Sequence, residues 1–254
     1  MIKIKHLAVA LLITLAISMP AAAARTVPYP PYFDTKSSGA SSYNGAGNVK
    51  ASPYFTAPDF YEMKSADGLT FVSNFPTYQQ TTETTCGPAA ALTVLDYFGN
   101  KKYDEQMLAI LMGTLNKPKP NGEMGTSTSG MVKFFKEIGW KVRSSLDRPK
   151  GKAGDFDDPK AFMEFVVKNL KEGTPVFVEN MYWGGHWRVI IGYDTMKTAN
   201  VEDDVLIFMD PYDVLDHNQD GYTVENASGF FYTWKDIEYL PKAERIQQWI
   251  TARP

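Results

Sequence analysis

The segment QTTETTCGPAAALTVLDYFG, residues 80–99, holds the only cysteine in a chain of 254 residues. Its second half has helical spacing. Ala91, Leu92, Leu95 and Phe98 recur at intervals of three and four, Pro88 falls in the first turn, and Gly99 fits a C-terminal cap. Cys86 is therefore expected at or just before a helix N-terminus. Free backbone N–H groups and the positive end of the helix dipole favour a thiolate there. Gly87 removes side-chain bulk beside the sulfur, so that a substrate backbone can approach. The alternative is a buried cysteine that serves as a small apolar residue.

The N-terminus bears on that choice. A basic start (MIKIKH), an apolar run (LAVALLITLAI) and a small-residue stretch (MPAAAA) read as a signal peptide over residues 1–24. The apolar run is shorter than the ~20 residues that span a bilayer, and no later run is long enough. No cysteine follows that could carry a lipid anchor. The mature chain is expected to begin near Arg25 as an exported protein, periplasmic or secreted, with no membrane attachment after cleavage. Oxidising compartments pair thiols, so an unpaired cysteine there calls for a chemical reason. The formal charge of −3 becomes −5 without Lys3 and Lys5. Such a mildly acidic chain gives no reason to expect nucleic acid or an anionic membrane as partner.

Residues 25–67 are rich in Pro, Ser, Gly and Asn and hold no period, which reads as an extended arm. One domain is expected over 68–254, and it is expected to be monomeric. GLTFVSNF (68–75) reads as a strand leading into the cysteine segment. Further helices are predicted in 103–113 (Met107, Leu108 and Leu111 inward), 128–139 (Met131, Phe134, Phe135, Ile138) and 157–173 (Phe162, Phe165, Val166, Leu170). Then TPVFVEN (174–180), HWRVIIGYD (186–194) and DVLIFMD (204–210) are β-branched and aromatic runs bounded by Gly, Asn and Asp. Residues 230–254 add a short helix and a last strand. Helices first and strands later predict an α+β fold, a helical half packed on an antiparallel sheet.

A thiol nucleophile needs a base. Beyond the signal peptide the chain has only His186 and His217. His186 opens a strand after Gly184-Gly185, whereas His217 lies in a polar segment with no apolar framework to orient an imidazole. The base in turn needs an orienting group. Asp194, eight residues along the same strand, lies about 26 Å away and cannot serve. A hairpin of 186–193 with 204–209, with paired numbers summing to about 396 or 397, returns Asp210 directly opposite His186 on the same face. Gln80, or the adjacent Gln79, lies in a polar run with four threonines and could join the Cys86 N–H in holding an oxyanion. Trp183 and Trp187 either flank the cleft or belong to the core, and Gly185 lets chains come close beside it.

Taken in order, QTTETTCGPAAALTVLDYFG, GGHWRVIIGYD and FMDPYD resemble a papain-like cysteine peptidase, above all the bacteriocin-processing (double-glycine leader) peptidases and their stand-alone exported relatives. The resemblance covers roughly residues 75–212. It implies a papain-like fold, with Cys86 as nucleophile, His186 as base, Asp210 as orienting carboxylate and Gln80 in the oxyanion hole. Its implied partner is a peptide or protein substrate, with no cofactor. Two departures stand out: Thr85 replaces the Asp that precedes the cysteine in many leader-processing members, and the span from His186 to Asp210 is longer. The same residue order also serves acyl transfer in transglutaminase-like and phytochelatin-synthase-like proteins. A peptide-binding module without turnover is a further alternative.

DHNQDG (216–221) matches the first half of a calcium loop and makes Asp216, Asn218 and Asp220 candidate ligands. Its twelfth position is Ala227 rather than Glu, so a polar turn is the simpler reading.

Overall fold

The computed structural model describes residues 27–30, 32, 39–40, 56, 58–216 and 218–254. The signal peptide expected at 1–24, most of the arm and His217 lie outside the described residues. Among the described residues, five α-helices and seven strands follow in the order β1 (Leu69–Phe71), α1 (Cys86–Tyr97), α2 (Glu105–Leu111), α3 (Thr128–Glu137), β2 (Lys141–Ser144), α4 (Pro159–Lys171), β3 (Val176–Asn180), β4 (His186–Asp194), β5 (Val205–Met209), β6 (Tyr222–Asn226), α5 (Ala227–Thr233) and β7 (Gln248–Arg253). The fold is α+β, with helices packed on an antiparallel sheet.

The sheet runs β2-β7-β3-β4-β5-β6. β3 pairs with the first half of β4 and β1 with its far end, Leu69 facing Asp194. Every residue of β4 from His186 to Tyr193 is buried, as expected of a strand covered on both faces. α1 crosses this strand and is itself buried from Cys86 to Leu95. A helix without a polar face belongs inside the molecule, and Ala89, Ala90 and Ala91 are fully buried in it. The helix ends at Gly99, whose φ of +76° lets Asn100 N–H turn back to Leu95 O at 2.8 Å.

β2 and β6 escaped the sequence reading. Both are sheet edges of four and five residues, with alternating exposure and polar or charged positions, so neither carries the apolar signal of a buried strand. α2 lies where expected but is rotated. Leu108 and Met112 face inward with Glu105, whereas Met107 and Leu111 are 44% and 45% exposed. The rotation follows from Glu105, whose buried carboxylate is the acceptor for donors on the loop before Cys86.

Candidate active site

Cys86 is the first residue of α1, buried and unpaired. Among the described residues no side chain caps this helix. Thr85, in the capping position, turns its hydroxyl to Glu105 and Thr82 instead. The first-turn N–H groups thus have no side-chain acceptor and remain for an anion. Glu105 fastens the loop from below: Tyr78 Oη, Thr81 N and Thr81 Oγ1 donate to it at 2.8, 2.9 and 2.8 Å, and Thr85 Oγ1 completes the set. Burial raises its carboxyl above the usual range, and these donors oppose the rise. Glu105 was not singled out in the sequence, where a Glu in the first turn of an amphipathic helix reads as solvated.

His186 opens β4 and its ring is 3% exposed. Its Nε2 lies 2.7 Å from Asp210 Oδ1, leaving Nδ1 for the sulfur of Cys86, with which the ring also interacts. Burial pulls the imidazole down, yet the charge and hydrogen bond of Asp210, with help from Cys86, raise it from 6.5 to about 9. Burial likewise pushes the Asp210 carboxyl up. His186, Arg188 and the Tyr212 N–H reverse this and bring it from 3.8 to about 2. Asp210 Oδ1 also accepts from Tyr212 N at 2.9 Å and Asp213 N at 3.2 Å, which fixes the carboxylate plane.

The hairpin register differs from the expected one. Val189 faces Met209 and Ile190 faces Phe208, after which an irregularity shifts the pairing so that Gly192 faces Ile207. Continued outward, this register places Asp210 opposite Arg188 rather than His186. His186 is then a diagonal neighbour two residues along, on the same face, because side chains alternate with a period of two. Ile191 is the extra residue of a bulge beside Gly192, which the sequence reading did not foresee.

Cys86 and His186 border a cavity of about 240 Å³, with Gln80, Trp183 and Gly185 also on its wall. Gln80 is buried; its Nε2 donates to Thr82 O at 2.8 Å, and its Oε1 is unpartnered. Trp183 is half-exposed at a φ of +50°, a strained conformation for a tryptophan. It meets the His186 ring edge-on at 5.2 Å and Tyr212 at 4.8 Å. Trp187 also borders the cavity but is 1% exposed, and its indole N–H holds Thr126 O at 2.8 Å. Gly87, expected to let a substrate backbone approach, is not among the residues of the cavity wall. A Cβ there would stand 2.7 Å from Thr126 Cβ, so this glycine admits the Thr126 side chain.

Asp216, Asn218 and Asp220 fold their side chains into local turns. Asp216 accepts from Asn218 N, Asn218 Nδ2 donates to Asp220, and Asp220 accepts from Tyr222 N. Among the described residues no group of three or more His, Cys, Asp or Glu side chains has a metal-holding arrangement.

Among solved structures, the peptidase domain of Streptococcus ComA, a bi-functional ABC transporter, is 18% identical over 71% of this chain and 98% of its own, with a TM-score of 0.44. A double glycine motif protease from an AMS/PCAT transporter, solved with a leader peptide, is 13% identical over 70% of this chain and 91% of its own, with a TM-score of 0.41. Among curated proteins no match is found. The Peptidase_C39 like family matches residues 72–241, a span that contains the cysteine segment, the histidine strand and the Asp-Pro turn. The chain belongs to that family, and it is a cysteine peptidase.

Proposed function

We propose that this cysteine peptidase is exported and cleaves a peptide bond through Cys86, His186 and Asp210. Cys86 Sγ attacks the scissile carbonyl and forms the thioester carbon–sulfur bond. His186 takes the thiol proton and passes it to the leaving amine. Water then enters, and the same imidazole accepts its proton as the acyl–sulfur bond breaks. The observation that carries this reading is the buried 2.7 Å contact of His186 Nε2 with Asp210, which holds the ring beside a sulfur at an uncapped helix start. An imidazolium next to sulfur is the partner that a thiolate nucleophile requires. The Cys86 N–H and the second amide N–H of Gln80, whose first is donated to Thr82 O, would receive the oxyanion.

The test is iodoacetamide labelling of Cys86 in the wild type and in His186→Ala, with product analysis on a peptide library. Labelling at least about tenfold faster in the wild type, with hydrolytic products, is expected. Equal slow labelling in both would overturn the assignment. Release of a mature chain starting near Arg25 outside the cytoplasm checks the export.

A further inference from the structure

Two acidic side chains on the cavity wall have no part in this chemistry. Glu179 lies on β3, paired with Trp187 of β4, and is 1% exposed; among the described residues neither carboxylate oxygen has a donor at hydrogen-bonding geometry. Asp236, in the loop after α5, is 4% exposed. Its Oδ1 accepts from Leu240 N at 3.0 Å and faces Arg245 Nε at 3.5 Å, but Oδ2 is unpartnered. The free oxygens converge. A Cβ on Gly185 would stand 2.5 Å from Asp236 Oδ2 and 2.9 Å from Glu179 Oε1, so only a glycine fits where the two carboxylates meet at the cavity wall.

Burying a carboxylate without donors costs several kcal/mol, and a fold retains such a group only with a compensating partner. Arg245 balances one of the two charges. The Glu179 carboxylate lies against Asp236, close enough to share a proton with it, and near Cys86 and the backbone N–H of His186. Burial and the neighbouring Asp236 push the Glu179 carboxyl well above the usual range, and Asp236 is raised by burial as well. Both shifts favour the protonated form of the pair, and a cation with N–H donors can take the place of that proton.

We propose that Glu179 and Asp236 form a binding subsite for a cationic group of the peptide substrate, an ammonium or guanidinium, beside the bond presented to Cys86. This rests on reading the cavity as the peptide site. The cation brings donors to three unpartnered oxygens and one positive charge to a pair that Arg245 leaves one short. The source of the cation, a Lys or Arg side chain or a free chain terminus, is left for experiment to separate.

Calorimetry on the Cys86→Ala protein reads binding without turnover. The probes are acetylated pentaglycine amides carrying one lysine or one arginine at each position in turn, the matching norleucine series, and pentaglycine amide with a free N-terminus. One cationic peptide is expected to bind at least about tenfold tighter than its neutral counterpart. The preference should fall to within about twofold when Glu179→Gln or Asp236→Asn is added. A lysine or arginine preference marks a side chain, and a preference for the free amine over its acetylated form marks a chain terminus. A structural role would make Glu179→Gln less stable. A binding role predicts an unchanged or higher Tm, because a buried unpaired acid is neutralised. No preference for any cationic peptide, a preference that survives both substitutions, or no binding by any peptide would overturn the subsite. Cleavage by the wild type without charge preference would sink the subsite alone, and a charge preference without cleavage would sink the peptidase reading alone.

Discussion

At the scale of single residues, the pairing of His186 with Asp210 separates charge from geometry. Asp210 Oδ1 serves three donors: His186 Nε2, Tyr212 N and Asp213 N. An asparagine oxygen can accept from the same three, so Asp210→Asn removes the charge and leaves the acceptor. The charge of Asp210 is the largest influence holding the imidazole up against its burial, at about 9. In Asp210→Asn the limb of the pH–rate profile that reports His186 is expected to move down by at least about one unit, with labelling by iodoacetamide at neutral pH slowed on the order of tenfold to a hundredfold. A limb that stays near the value of the parent protein would assign the raised imidazole to another cause. That Asp210 could be chosen from the sequence at all rests on parity. The expected register was wrong by about two residues, but an even slip preserves the face, so Asp210 still reaches His186 diagonally. Glu179 and Asp236 had no such signal. One reads as a polar interruption in a strand and the other as a loop acid, and only the folded chain brings both over Gly185.

At the scale of elements, the segments with long apolar periods were legible: α1, α3, α4 and the strands β3, β4 and β5 lie within the spans their patterns predict. What escaped was set by neighbours rather than by local pattern. β2 and β6 exist because β7 and β5 offer them an edge. α2 turns Met107 and Leu111 outward because its Glu105 must meet Tyr78, Thr81 and Thr85. A buried polar network outweighs two partly exposed side chains, since each orphaned donor would cost about 1–3 kcal/mol. Glu105→Ala leaves four donors without their acceptor, three on the loop that carries Gln80 and Cys86 and one on Tyr78. The expected loss is about 3–5 kcal/mol of stability by urea denaturation, with Cys86 labelling slowed even where the chain remains folded. Wild-type labelling in a folded Glu105→Ala protein would show that the network supports the fold but not the site.

At the scale of the whole molecule, the site is also where the fold stores its ionisable groups, and their signs make stability depend on pH. His186 is raised from 6.5 to about 9, so its contribution is fully present below 6.5 and is lost as pH rises through 9. Asp210 is lowered from 3.8 to about 2, so its contribution is present above 3.8 and is lost as pH falls towards 2. Glu179 and Asp213 are raised well above their ordinary values, chiefly by burial, and forcing them to ionise opposes folding as pH rises. Three of these four groups therefore weaken the protein on the alkaline side, and Asp210 weakens it only in strong acid. Stability by urea denaturation should be greatest in the mildly acidic range and should fall by on the order of 3 kcal/mol between about pH 6 and about pH 9 for the His186–Asp210 pair, counted once. The comparison that isolates the pair is Asp210→Asn, in which His186 no longer has a carboxylate partner. Its stability should start lower at about pH 6 and decline less steeply towards about pH 9, because only the buried carboxyls still oppose the rise. A slope equal to that of the wild type would place the alkaline loss wholly on Glu179 and Asp213, and the same measurement on Glu179→Gln would then show the slope flattened instead.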